Sequence, residues 1–152
     1  MEDSAANPYL RNAVMTATPE QLQLMLYDGA IRYANQARDA IGEKDFATSY
    51  DRLTRAQAII LEMESGLNYD VNRELCERVA AIYGFLYRKL VDANVHRDIA
   101  AIDDALKILR IERETWQMLV DKVNKFHDAP IETAGAESAE SNEVPASFSA
   151  EG

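Results

Sequence analysis

Four stretches of this chain repeat apolar residues every three to four positions, and each is bounded by residues that start or stop helices. Thr18-Pro19-Glu20-Gln21 opens the first with a hydroxyl cap, a proline in the first turn and a glutamine placed for a capping box. Its apolar pattern runs to Ile41 and stops at Gly42. Asp45 caps a second stretch that reaches Ser65, with Gly66 as its stop. Asp70 or Asn72 opens a third, to about Asn94, and Asp98 opens a fourth, to about Phe126 ahead of Pro130. No alternating strand pattern or Asn-Gly hairpin signal intervenes. Helices of this length with short connections predict an all-α fold, an antiparallel up-down four-helix bundle.

The ends read differently. Residues 1–16 form a loosely held arm around Asn7-Pro8-Tyr9-Leu10, and the bundle region spans 1–127. From 128 to 152 the chain carries six acids and no lysine or arginine, which leaves the first 127 residues near -4 out of a total of -10. Made largely of Ala, Ser, Glu and Pro without a hydrophobic period, this segment is expected to be a disordered acidic tail.

Placing residues at about 100° per position gives each helix an inward stripe. The first carries Leu22, Leu26, Gly29, Ala30, Tyr33, Ala37 and Ala40; the second Phe46, Tyr50, Leu53, Ile60 and Met63. The third carries Leu75, Val79, Ile82, Leu86, Leu90 and Ala93; the fourth Ile102, Leu106, Leu109, Trp116, Val120 and Val123. Three helices are apolar over a wider arc than one core needs. Leu24, Tyr27, Ile31 and Ala34 flank the first stripe, Cys76, Ala80, Tyr83, Tyr87 and Val91 the third, and Ile108, Ile111, Leu119 and Phe126 the fourth. A central helix packed by several neighbours explains one wide stripe; three of them with flanking tyrosines point to a partner groove.

Enzymatic chemistry finds little support. Di-metal bundle sites need Glu-x-x-His on two helices, but Ala93 and Asn124 stand three positions before His96 and His127, the two histidines. Both fall near helix C-termini, where a cation suits the dipole. Cys76 sits between Glu74 and Glu77, which oppose a thiolate, and reads as a small apolar flank residue. No phosphate loop or zinc spacing occurs, so no catalytic residue, metal or cofactor is expected. One cysteine, no apolar run of about 20 residues and an acidic start fit a cytoplasmic protein without membrane insertion, and the negative charge argues against nucleic acid.

The string Asn7-Pro8-Tyr9, then Val14-Met15-Thr16-Ala17-Thr18-Pro19-Glu20-Gln21-Leu22 and Leu24-Met25-Leu26-Tyr27-Asp28-Gly29-Ala30, resembles the opening of the FliS-type flagellin export chaperones. Further likenesses follow in order: Arg55-Ala56-Gln57-Ala58-Ile59-Ile60, then Tyr83-Gly84-Phe85-Leu86-Tyr87-Arg88-Lys89-Leu90-Val91-Asp92-Ala93-Asn94, then Thr115-Trp116. Asn72-Arg73-Glu74 stands where many relatives have Gly-Gly-Glu, and Leu86 replaces the usual Met or Ile. The resemblance implies a non-enzymatic bundle that binds the C-terminal region of flagellin, prevents its premature polymerisation and delivers it to the flagellar type III export gate. Tyr9, Leu10, Val14, Leu24, Tyr27, Ile31, Tyr83, Tyr87 and Val91 are the candidate partner-binding residues. Tyr9, Leu10 and Val14 of the arm are expected to cover part of the groove in the empty protein. The alternatives are a homodimeric structural bundle that uses the second stripes for self-association, and a metal-binding bundle enzyme.

Overall fold

A computed structural model describes residues 7–127; residues 1–6 and 128–152, and with the latter the expected acidic tail, lie outside the described residues. Five helices follow one another: α1 (Pro8–Thr16), α2 (Pro19–Gly42), α3 (Phe46–Ser65), α4 (Arg73–His96) and α5 (Ile99–His127). The bundle is formed by α2, α3, α4 and the part of α5 up to Gln117, and there is no strand among the described residues.

The caps are those the local sequence dictates. Thr18 Oγ1 accepts the Gln21 amide at 3.1 Å while the Gln21 side chain accepts the Thr18 amide at 3.0 Å, a complete capping box. Asp45 caps α3 through the Thr48 amide, and Asn72, rather than Asp70, caps α4 through the Leu75 amide. Two corners use left-handed residues that are not glycine: Lys44, between α2 and α3, and Arg97, between α4 and α5. The Arg97 guanidinium lies 3.8 Å from the centre of the Phe46 ring, a cation–π contact that ties this corner to the start of α3.

Cross-helix bonds set the order around the bundle. Arg113 of α5 donates to Asp28 of α2 at 2.6 Å, and Arg38 of α2 donates to Asp103 of α5 at 2.6 Å, so these two helices run antiparallel side by side. Lys89 of α4 meets Asp104 of α5 at 3.1 Å, and Asn94 of α4 donates to Gln57 of α3 at 3.2 Å. Helix α3 packs against both α2 and α4. The cyclic order is therefore α2, α3, α4, α5, with α2 and α4 facing each other across the diagonal.

The core contains Leu53, Ile60, Leu86, Leu90, Ile102, Leu106 and Leu109, largely the expected stripes. Two departures matter. Tyr27, Ala34 and Tyr83, expected on the flanks, are fully buried at the centre. Helix α2 turns Ala30, Ala34 and Ala37 inward, and a Cβ on Gly29 would lie 3.2 Å from Ile59 Cδ1. Small residues let the backbones approach, and the wide apolar arc of α2 is consumed by neighbours on both sides. Conversely Leu22, Tyr50 and Leu75, expected in the core, are 38%, 63% and 53% exposed. Each lies in the first two turns of its helix. The arm also departs from expectation: Asn7 accepts the Tyr9 and Leu10 amides and Pro8 opens a nine-residue helix.

Met118–His127, the last turns of α5, belong to a second unit, in which Met118, Leu119 and Phe126 are exposed and Val120 is buried.

Candidate functional site

Tyr27 of α2 and Tyr83 of α4 approach across the diagonal with their hydroxyl oxygens 3.2 Å apart. The Gln23 side-chain amide donates to the Tyr83 hydroxyl at 2.8 Å. Burial raises the pKa of both tyrosines, and the nearby Glu112 carboxylate adds to it. Both hydroxyls therefore stay protonated, and they act as hydrogen-bonding struts within an apolar core rather than as surface anchors. Tyr83→Phe removes the acceptor of Gln23 and one half of the tyrosine pair; an expected loss of about 1 kcal/mol in urea unfolding checks this link.

The four remaining helical candidates divide into two pairs. Leu24 and Ile31 share the arc of Asp28 and Asn35 on α2. Asp28 receives Arg113, and Arg110 donates to Asn35 at 3.5 Å, so that arc borders the α2/α5 seam. Tyr87 and Val91 share the arc of Asn94 on α4, which reaches Gln57 and so borders the α3/α4 seam. Given the cyclic order, these seams lie on opposite sides of the bundle. Leu24, Ile31, Tyr87 and Val91 are all partly buried, with Ile31 and Tyr87 leaning on the core. They flank two surfaces; no single groove contains them all.

The α4 surface carries a depression. Phe85, Tyr87, Arg88, Lys89, Val91 and Asp92 border a shallow depression of about 420 Å³. Its lining combines aromatic and aliphatic side chains with charges of both signs, and Lys89 is held between Asp104 and the Phe85 ring. Such a surface suits an apolar segment with polar edges. On α5, Ile108 is partly buried and Ile111 is 52% exposed.

The arm candidates stand apart. Tyr9 is 84% exposed, Val14 is exposed and Leu10 is partly buried, and no residue of α1 is buried. α1 closes its own hydrogen bonds as a helix and stops at Ala17, where the capping box of α2 begins. Among the described residues no cluster of His, Cys, Asp or Glu is placed to hold a metal ion, and no helix is long and apolar enough to cross a membrane. Cys76 is partly buried in the first turn of α4, where its thiol donates to the Asn68 carbonyl at 3.3 Å.

Sequence reasoning missed Gln23, Phe85 and Glu112. Gln23 sits one turn before Tyr27, a spacing that pairs side chains on a helix face, but its partner is 60 residues away.

Residues 1–123 match the family model described as "Flagellar protein FliS". The chain is 34% identical over 122 residues to the flagellar secretion chaperone FliS of Bacillus subtilis, covering 78% of this chain and 90% of that one. It is 29% identical over 116 residues to the protein of the same name from Salmonella typhimurium, covering 76% and 86%. A solved structure titled "Crystal structure of flagellar chaperone from bacteria" superposes with a TM-score of 0.65 at 18% identity, covering 78% of this chain and 97% of that one, a likeness of fold.

Proposed function

This chain belongs to the FliS family of flagellar secretion chaperones, and from that premise we propose that it binds the C-terminal segment of flagellin in the cytoplasm. Binding keeps the subunit from polymerising early and holds it for delivery to the flagellar export gate. No bond is made or broken in this role; the protein works by covering surface.

The observation that carries this reading is the placement of Leu24 and Ile31 on one side of the bundle and of Tyr87 and Val91 on the other, all still partly accessible after Tyr27 and Tyr83 are buried. A compact ligand reaches one such surface. A flexible segment that folds on contact reaches both, and such segments bury about 1,000–3,000 Å² when they order. Spaced apolar side chains along an amphipathic helix are the natural counterpart of Tyr87, Val91 and the α4 depression.

Mixing the purified chain with a flagellin C-terminal segment is expected to give a one-to-one complex by size exclusion with light scattering. Amide exchange is expected to slow along α2 and α4. Absence of a complex, or a complex without new protection on either helix, would overturn the proposal. The same measurement on the protein alone reports whether the accessible surfaces are used for self-association instead.

A further inference from the structure

Glu112 lies on α5 one turn after Ile108 and next to Ile111, so it interrupts an apolar arc. It is partly buried, and no hydrogen bond or ion pair joins it to another described residue. Its neighbour Arg113 is already committed to Asp28 of α2. The charge of its carboxylate helps to raise the pKa of the Tyr27 and Tyr83 hydroxyls, and burial pushes its own pKa up. Its state is that of an acid partly stripped of water and given no cation among the described residues.

A partner that covers such a group must do one of two things. It forces the carboxylate to take up a proton, or it brings a donor that pairs with it. Resting on the reading that a client segment covers the apolar faces of the bundle, we propose that Glu112 is a polar anchor that receives one lysine or arginine of the client, while the client's apolar residues lie on Ile108 and Ile111. Charge selects the occupant. A second copy of a chain carrying a net -10 brings like charge, whereas a segment presenting a cation is drawn in and fixed in register by the pair. Glu112 would then determine which register of an otherwise sliding apolar helix is accepted.

The test is a double-mutant cycle with the full chain and the flagellin C-terminal segment. Glu112→Gln keeps the shape and removes the charge; it is expected to weaken binding roughly tenfold or more, the weight of a hydrogen bond to a charged group. Each lysine and arginine of the segment is replaced singly by glutamine. One of these replacements is expected to cost the wild-type chaperone a similar factor and to cost Glu112→Gln nothing further. The client-side replacements are read on the unaltered chaperone, so they do not depend on how Glu112→Gln folds. Undiminished or tighter binding by a folded Glu112→Gln, client replacements that are all silent, or losses that simply add would overturn this inference and leave the chaperone reading standing. If the unaltered chain binds no flagellin, both fall together.

Discussion

Leu86→Ala is expected to lower the unfolding free energy by about 3 kcal/mol, within the range of 2–5 kcal/mol for emptying a fully buried leucine site. Leu86 has no solvent exposure and sits in α4 one turn after Ile82 and one before Leu90, in the continuous core. Deleting three carbons there leaves a void that α2, α3 and α5 fill only in part. For a domain whose total stability is of order 5–15 kcal/mol, the loss moves the thermal midpoint down by roughly 10 °C or more. Urea unfolding followed by circular dichroism checks it, with the slope unchanged if the denatured state is unaltered. Leu75→Ala is the control. Read from periodicity alone the two leucines are equivalent, but Leu75 is 53% exposed, and its replacement is expected to cost well under about 1 kcal/mol. Equal costs would mean that α4 is rotated from the orientation described.

Tyr87→Asp is expected to weaken flagellin binding at least thirtyfold, roughly the 2 kcal/mol that marks an aromatic hot spot, while helix content is kept. The ring leans on the core but keeps an accessible edge beside the α4 depression, so a carboxylate there finds water in the free protein and loses it in the complex. Ile31→Asp makes the same demand at the α2/α5 seam. If the client engages both sides, each substitution weakens binding on its own, and titration calorimetry with the flagellin segment measures both. A loss at Tyr87 alone would confine the client to the α4 surface. Unfolding of Tyr87→Asp, or binding unchanged by it, would remove Tyr87 from the contact. Tyr27→Asp, at a site without solvent exposure, is expected to prevent folding, which separates the central tyrosines from the surface ones.

The features legible in the sequence are those decided over a few residues. Thr18 through Gln21 forms a capping box because both partners lie within one turn, and Asp45 and Asn72 cap their helices for the same reason. The all-α class and the four bundle helices follow from such signals together with the apolar period. The rotation of each helix does not. Periodicity gives the centre of an apolar arc, but when the arc is wide the neighbours decide which part is covered, and for α2 the decision falls on the alanines that permit close approach. Tyr27 and Tyr83 were misplaced for that reason: their burial depends on each other and on Gln23, contacts that span 56 and 60 residues. Helix α1 had its signal in Asn7-Pro8, but so short a helix is marginal in isolation, and the signal gave no measure of whether it would form. The candidate surface was legible as residue types and not as geometry, since nothing in the spacing of Leu24, Ile31, Tyr87 and Val91 says that they face away from each other.

That division has a kinetic consequence. If the client engages both sides, it is held as by a two-point tether: when one grip opens, the other keeps the loose half near its berth at high local concentration, and re-seating is expected to outpace escape. Slow spontaneous loss is the expected result for a flagellin segment held in this way. A steady pull from one end of the passenger opens the grips in turn instead of both at once, so a complex that is long-lived at rest peels apart readily when something draws on a single terminus.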